Sequence, residues 1–367
     1  MFVNIDWFFL SHRLPIAEAA SLNDVEMNVY TDFSKKNKLY DYQNFNLLQS
    51  PLTRTSKFFG LEILEFIKAY FLIRKEKPDL VHAVTIKPMI LLGIVARLTR
   101  TPFVGTFAGL GPVINQTIWL QKIRFRIVLL VYKFIYNSKS SIIICQSEHD
   151  KKILLKFRVC PESRITLILG SGVNLKRFKP TFSKKGKKNI LMACRMLSDK
   201  GVKEFCASAK YLSQDDRGIK FLLAGPTDEL SPTSISEKEL KLLCIDSNVE
   251  YLGNRKDINT LIASASIFVL PSYYPEGVPK VLMEAASCGT PVITTDHPGC
   301  RDAVIENVTG ILVEPRNPEE ITNAILNMLD HPETLKRMAK ASRKLAEDYF
   351  DENEVVCQHY RIYQKLI

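Results

Sequence analysis

Short, strand-like runs alternate regularly with longer, helix-like runs along this chain, and few folds accommodate such a pattern. Five runs in the first half are apolar and rich in β-branched residues: FVNIDWFF, VEMNVYTD, DLVHAVT, TPFVGTF and SIIICQS. Helix-like stretches such as FFGLEILEFIKAYFLIRKEK and PMILLGIVARLTR lie between them. This rhythm is typical of right-handed βαβ units on a parallel sheet.

The alternation stops once and then restarts, which predicts two domains. The stretch at 170–188, GSGVNLKRFKPTFSKKGKK, has the Gly, Pro, Ser and Lys content of a linker, and NILMACRM then resumes the strand-like pattern. We expect an α/β fold of two doubly wound, Rossmann-like domains, 1–180 and 186–349, facing each other across a cleft. A last helix at 350–367 should pack back on the first domain. A chain of 367 residues suits two such cores. Ligands of these folds bind at the carboxyl ends of the strands.

The cysteines and the apolar runs indicate a reduced, intracellular setting. The eight cysteines form no CxxC pair and sit mostly in apolar runs, so we expect packed, free thiols. Asp6, His12 and Arg13 interrupt the only apolar start, so no signal peptide is expected. The uncharged run MILLGIVA is too short to span a bilayer.

The net charge of +11 is confined to the first half of the chain. Residues 1–180 hold 26 Lys and Arg against 13 Asp and Glu, and the remainder holds 24 against 26. No nucleic-acid recognition module accompanies this charge, so nucleic acid is not expected as a partner. The segment at 120–139, LQKIRFRIVLLVYKFIYNSK, mixes long apolar residues with five cations. An anionic membrane surface fits this segment better, and an ordinary core helix with a basic outer side is the alternative.

Several common ligand motifs are missing. The first strand-to-helix turn, FFLSHRLPIAEAA, has no glycine, so it is no dinucleotide fingerprint. The chain also has no P-loop and no Asp-x-Asp pair. A diphosphate would therefore be held without a metal cofactor, by cations and a helix N-terminus. ACRMLSDKGVKEF offers Arg195 and Lys200 in a strand-to-helix loop for this purpose.

Two stretches resemble the retaining glycosyltransferases of family 4, which have the GT-B fold. These are ACRMLSDKGVKEF and PSYYPEGVPKVLMEAASCGTPVITTDHPGCRDAV, and the E-x7-E element is their most specific part. FFLSHRLP, GTFAGLG, CQSEHDK and GVNLKRFKP match further landmarks of the family, so the resemblance covers nearly the whole chain. Family members with similar motifs build bacterial lipid-linked oligosaccharides, capsule or O-antigen, and some transfer N-acetylgalactosamine onto undecaprenyl-diphosphate sugars.

The resemblance implies a donor site around two glutamates. Glu276 would bind hydroxyls of the transferred sugar and Glu284 the ribose diol, since ionised carboxylates accept hydrogen bonds from both. Arg195 and Lys200 would neutralise the leaving diphosphate, which makes them catalytic together with Glu276. Residues between the glutamates would approach the ligand through their backbone or begin the helix: Gly277, Val278, Pro279 and Lys280.

The acceptor site is predicted in the first domain. His12, opening the first helix beside Arg13, would orient or deprotonate the acceptor hydroxyl. Lys87 would bind an acceptor diphosphate, and Gly109 would contact the acceptor. Ala108 stands where relatives carry an acid, which removes one candidate base.

The predicted activity is transfer of a hexosyl group, an N-acetylhexosaminyl group in our reading, from a UDP-sugar to a lipid-linked sugar. The enzyme would be peripheral on the inner face of the cytoplasmic membrane. A non-hydrolysing nucleotide-sugar epimerase shares the architecture and is the alternative. A non-catalytic two-lobed binding protein is a third possibility, although it would normally carry a signal peptide.

Overall fold

The computed structural model describes residues 1–33, 42–53, 59–107, 119–181, 188–215, 217–228, 231–274 and 276–367. These residues divide into two compact units, Met1–Ser171 with Glu352–Ile367, and Gly172–Asp351. Each unit is built on a parallel sheet, so the predicted α/β class is confirmed.

The first unit contains a seven-stranded sheet in the order β3-β2-β1-β4-β5-β6-β7. Its strands are β1 Phe2–Val3, β2 Asn28–Thr31, β3 Asn46–Gln49, β4 Val81–Val84, β5 Phe103–Phe107, β6 Ser141–Cys145 and β7 Ile165–Leu167. Its helices are α1 Asp6–His12, α2 Leu14–Glu18, α3 Phe59–Glu76, α4 Ile86–Thr99, α5 Trp119–Tyr136, α6 Glu148–Lys156 and α13 Glu352–Leu366.

Helices cover both faces of this sheet, which is why β4, β5 and β6 are buried along their whole length. One core cluster joins the sheet to α3, α4, α5 and α6. The other joins it to α1, α2 and α13. The last helix α13 is fixed in this second layer by Tyr360, whose hydroxyl donates to the carbonyl oxygen of Ile16 at 2.7 Å.

The second unit contains a six-stranded sheet in the order β10-β9-β8-β11-β12-β13. Its strands are β8 Asn189–Ala193, β9 Lys220–Ala224, β10 Val249–Tyr251, β11 Ile267–Leu270, β12 Val292–Thr295 and β13 Gly310–Val313. Its helices are α7 Val202–Tyr211, α8 Glu237–Asp246, α9 Ile258–Ser264, α10 Lys280–Ser287, α11 Pro318–Asp330 and α12 Pro332–Tyr349.

The boundary between the units lies at 171/172, earlier than the expected residue 180. The amide of Val173 donates to the carbonyl oxygen of Phe350 at 2.8 Å. The hydroxyl of Ser287 donates to the carbonyl oxygen of Phe178 at 2.6 Å. Residues 172–180 read as linker in the sequence, but these bonds attach them to the second unit.

The first strand is shorter than its apolar sequence predicts. β1 ends at Val3 and α1 begins at Asp6. The Asp6 carboxylate accepts a hydrogen bond from the amide of Trp7 at 2.7 Å, which gives one of the first-turn amides of the helix a partner. His12 is consequently the last residue of α1, so the prediction that it opens the first helix was wrong.

Candidate functional site

The predicted donor residues lie where the strand order of the second sheet reverses. The chain leaves β8 towards β9 on one side and leaves the adjacent β11 towards β12 on the other. The loops after β8 and β11 therefore diverge and leave a crevice at the carboxyl edge of the sheet, where ligands of open α/β folds bind. Arg195 and Lys200 follow β8, and Glu276 follows β11.

Lys200 and Glu276 form an ion pair between these two loops. The Lys200 side chain is 9% exposed and that of Glu276 is 25% exposed, so the pair is largely withdrawn from water. The ammonium of Lys200 also lies 4.7 Å from the ring centroid of Tyr274, in a cation–π contact. The structure thus brings together Lys200, predicted to bind phosphate, and Glu276, predicted to bind sugar hydroxyls, which stand in separate sequence motifs.

Two glycines allow the loops to approach this closely. Gly201 has φ +82°, and a Cβ there would lie 2.3 Å from the carbonyl oxygen of Pro271, so a side chain would push the Lys200 turn away from β11. Gly299 has φ +86°, and a Cβ there would lie 2.5 Å from the carbonyl oxygens of Glu276 and Gly277. Neither requirement was recognised from the sequence, although both glycines stand in quoted motifs.

Arg195 is held by a partner that the sequence did not reveal. Its Nη1 donates to Oδ2 of Asp228 at 2.7 Å, and the two side chains are 31% and 20% exposed. Asp228 follows β9, the neighbour of β8 in the sheet. The carboxylate fixes the direction of the guanidinium, and a diphosphate bound there would share or replace this contact.

Glu284 lies in the second turn of α10, which begins at Lys280 directly after Pro279. Burial raises the pKa of Glu284 to about 7, and Lys280 and Arg177 offset part of this shift. Among the described residues the Glu284 carboxylate makes no ion pair. Pro279 takes the N-cap position, one residue before the predicted first turn, and Val278 is buried beside it.

Two thiols near the ion pair are not candidate nucleophiles. Burial raises the pKa of Cys194 to about 12, despite the nearby charges of Lys200 and Arg195. Burial likewise raises the pKa of Cys300 to about 11. Both are therefore protonated at neutral pH. Over the described ranges, no group of three or more His, Cys, Asp or Glu side chains is arranged to hold a metal ion.

Three predicted acceptor residues, His12, Arg13 and Lys87, belong to the first unit and lie near the reversal of its own strand order. His12 ends α1, with its ring stacked on Phe8 at a centroid distance of 4.3 Å and its Nδ1 hydrogen-bonded to Ser11. Lys87 forms an ion pair with Glu65 at 2.7 Å and donates to the carbonyl oxygen of Thr53 at 2.9 Å. Burial alone would raise the pKa of Glu65, but bonds from Lys87 and Thr53 outweigh it and lower the pKa.

Arg13 is fully buried, at 0% exposure. Its Nη1 donates to the carbonyl oxygen of His12 at 3.2 Å, and within the described part of the chain its Nε and Nη2 have no hydrogen-bond partner. Direct contact between Arg13 and an acceptor would require neighbouring side chains to move. Gly109 and Ala108 lie outside the described residues, so their predicted roles stay predictions.

Comparison with known families agrees with this geometry. The model of the glycosyl transferases group 1 family matches residues 174–345, and that of glycosyltransferase family 4 matches residues 16–177. The chain belongs to the family 4-like glycosyltransferases of the GT-B fold and is an enzyme of that class. The epimerase alternative is not supported.

Two relatives with established names are similar to this chain over most of its length. The N,N'-diacetylbacillosaminyl-diphospho-undecaprenol alpha-1,3-N-acetylgalactosaminyltransferase of Campylobacter jejuni is 31% identical over 68% of this chain and 63% of its own length. This match spans slightly less than two thirds of that relative. The UDP-Gal:alpha-D-GlcNAc-diphosphoundecaprenol alpha-1,3-galactosyltransferase of Escherichia coli is 29% identical over 77% of this chain and 74% of its own length.

Solved structures share the fold at low sequence identity. A glycosyltransferase from Rickettsia africae superposes with a TM-score of 0.79 at 20% identity, covering 100% of this chain and 98% of that one. Anabaena Alr3699/HepE, crystallised with UDP, gives a TM-score of 0.76 at 18% identity, covering 99% of both chains.

Proposed function

We propose that the protein transfers an N-acetylhexosaminyl group from a UDP-sugar to a sugar carried on a polyprenyl diphosphate, with retention of anomeric configuration. The proposal is supported above all by the Lys200–Glu276 pair at the strand-order reversal. It draws its substrate classes from the two curated relatives, whose names specify undecaprenyl-diphosphate acceptors and, in one, a UDP-sugar. In this reading the enzyme is peripheral on the inner face of the cytoplasmic membrane.

The chemistry exchanges one glycosidic bond for another. The bond between the sugar C1 and the diphosphate oxygen breaks, and a bond from C1 to the acceptor oxygen forms. The diphosphate gains negative charge as it leaves, and Lys200 and Arg195 stabilise that charge. Glu276 holds the sugar hydroxyls and Glu284 the ribose diol, while His12 orients the acceptor hydroxyl or takes its proton. The proposed reaction uses no metal ion.

The direct test is an incubation with a UDP-N-acetylhexosamine, with UDP-galactose as the comparison donor. The acceptor is an N-acetylhexosamine on a short polyprenyl diphosphate. We expect a product one sugar heavier only when donor and acceptor are both present, with the Glu276→Gln variant as the strongly impaired control. Release of free sugar or of an epimerised donor in place of that product would refute the proposal.

A further inference from the structure

The helical layer formed by α3, α4 and α5 has an outer face that the glycosyl-transfer site does not use. α4 packs against α3 on one side and against α5 on the other. The inner sides of the three helices fill one core of the first unit through residues such as Ala69, Leu92 and Leu129. We call their outward side the α3–α5 face.

Two rows of exposed apolar side chains run along this face. On α3 the row consists of Leu61, Leu64, Ile67 and Phe71, and Ile63 lies beside it. On α5 the row follows the helical spacing i, i+4, i+7, i+11 and consists of Ile123, Ile127, Leu130 and Phe134. Phe71 is 66% exposed and Leu130 is 65% exposed. Single exposed hydrophobic residues are ordinary, but two aligned rows mark an interaction surface.

Most of the space between the rows is apolar as well, and a cation lies at one end of it. On α4, Ile90, Leu91 and Ile94 are partly buried and pack against the core below. Near the end of α4, the guanidinium of Arg97 lies 5.8 Å from the ring centroid of Phe134 on α5. The face therefore presents two apolar ridges on either side of a recessed apolar floor.

The charge on these helices has one predominant sign. The three helices carry nine Lys and Arg against three Glu. One of the three, Glu65, is buried and paired with Lys87. Lys68, Arg126 and Lys133 are exposed near the apolar rows. A surface of this kind attracts a partner that is anionic and apolar at once.

A shallow cavity of about 520 Å³ lies between α5, the end of α6 and the segment that follows α6. Lys133, Asn137 and Arg158 contribute its polar side chains, and Leu155, Val159 and Pro161 its apolar ones. Among the described residues that line it, none carries a carboxylate. Lys133 directly precedes Phe134, so the cavity adjoins the apolar row of α5. Its two cations and one amide suit a phosphate group.

We propose that the α3–α5 face docks on an anionic phospholipid bilayer. The rows on α3 and α5 enter the interface between headgroups and acyl chains, and the cavity beside Lys133 and Arg158 binds a lipid headgroup phosphate. None of the described helices has the length and hydrophobicity to cross a bilayer, so the contact is interfacial. The inference rests on the proposed function only in that the acceptor is lipid-borne.

Charge complementarity selects a bilayer over a second copy of this chain. Two copies meeting through this face would bring the cations of α5 close together, and like charges in contact oppose association. Anionic headgroups neutralise the same cations, while the acyl region accepts both apolar rows. Both features of the face are then satisfied by one partner.

The test is co-sedimentation of the full chain with phosphatidylglycerol vesicles and with phosphatidylcholine vesicles. The first variant, Ile67→Gln with Phe71→Gln, removes apolar side chains from α3. The second, Lys133→Gln with Arg158→Gln, removes the cations of the cavity. The matched control, Leu242→Gln with Ile245→Gln on α8, removes side chains that are 60% and 80% exposed on the other unit.

We expect the wild type and the control to bind phosphatidylglycerol vesicles equally, and phosphatidylcholine vesicles more weakly. The cavity variant should lose about thirtyfold in partitioning, since each cation near anionic lipid contributes a factor of about five. The α3 variant should lose about tenfold in partitioning, because it removes apolar contacts. In the wild type, high salt should weaken the binding but not abolish it, because the apolar contacts are not screened. Inorganic phosphate at millimolar concentration should compete poorly with the vesicles for the protein, because a free ion cannot make the apolar contacts.

A second measurement reports insertion directly. Phe71→Trp should be quenched by lipids brominated in the acyl chains, whereas Ile245→Trp should not. An α3 variant that binds like the wild type would overturn the proposal. So would a wild type that ignores anionic vesicles, or that forms dimers abolished by Ile67→Gln with Phe71→Gln. Transfer to a short-chain, water-soluble acceptor should persist in every docking variant, so a failure of docking is distinguishable from a failure of catalysis.

Discussion

Lys200 and Glu276 hold each other in an ion pair across the point where the second sheet reverses its strand order. Each would contact a different part of a nucleotide sugar, the ammonium the diphosphate and the carboxylate the sugar hydroxyls. Removing either member leaves the other charge partly buried without its counter-ion, which is costly. The two side chains should therefore act as a unit.

We predict that Glu276→Gln lowers turnover by about 100-fold or more, which corresponds to roughly 3 kcal/mol. Lys200→Met should cost a similar factor. In the double variant the loss should be clearly smaller than the product of the two single losses, because one remaining charge is no longer stranded. Steady-state kinetics on the wild type, the two single variants and the double variant measure the coupling energy between Lys200 and Glu276.

The control for this cycle is Lys203→Met with Glu239→Gln. That ion pair is exposed, with side chains 50% and 44% accessible, and an exposed pair contributes little. Activity should change less than about twofold. Strictly multiplicative losses at Lys200 and Glu276 would show that the two residues work independently.

The second prediction concerns Glu284, whose pKa is raised from 4.5 to about 7 by burial. Below that pH the folded protein holds the proton, and a protonated carboxyl accepts fewer hydrogen bonds from a ribose diol. The donor KM should therefore fall as pH rises from 6 to 8, by up to about tenfold. Glu284→Gln should raise KM and flatten this profile, with little change in kcat. An unchanged profile in the variant would assign the titration to another group.

Much of the architecture could be predicted because parallel strands buried on both faces leave continuous apolar runs. The missed elements lack this signal. β3 is an edge strand with mostly exposed residues, and β7 has three residues. The run FVNIDWFF was interpreted as one strand because a short apolar run does not distinguish strand from helix. In the structure the second part of this run forms α1, and Phe9 is a buried residue of that helix.

The donor site could be predicted only as separate motifs. Glu276 and Lys200 were both named from the sequence, but nothing in the linear chain shows that they touch. Asp228 was missed because its loop, PTDEL, has no pattern that points to Arg195. Full burial of Arg13 was missed because a cation at the start of a predicted helix ordinarily faces water.

The third prediction concerns acid stability of the first unit. His82 bonds Tyr363 through Nδ1 and Thr106 through Nε2, both at 2.7 Å. Burial is the largest of the causes that lower the pKa of His82 well below its ordinary value, and His359 and Arg13 lower it further. Burial, with a smaller contribution from the nearby Arg13, lowers the pKa of His359 to about 3. Both rings are neutral in the folded protein, so the unfolded chain binds more protons below pH 6.5.

Stability should therefore be complete above pH 6.5 and be lost as pH falls. His359 alone should account for about 2 kcal/mol of this loss at pH 5, and His82 adds to it. His359→Leu should remove the share of His359 and leave the rest. His149→Leu, a change at a partly exposed position in α6, should leave it unaltered. Calorimetric melting temperatures between pH 5 and 7 provide the measurement, and equal slopes for all three proteins would contradict the assignment.

The last prediction concerns the absence of a metal requirement, which rests on Arg195 and Lys200 as the cations that meet the diphosphate. Activity should survive EDTA, because two fixed cations supply the charge that a divalent ion would otherwise provide. Arg195→Ala should weaken donor and UDP binding by about tenfold or more, since it removes a fork of donors suited to phosphate. Asp228→Asn should have a smaller effect, because it releases the guanidinium without removing it. Isothermal titration with UDP, in the presence and absence of EDTA, separates these outcomes. Complete inactivation by EDTA with recovery on adding Mn²⁺ or Mg²⁺ would show that the diphosphate is held by a metal, and the role given to Arg195 would then have to be reassigned.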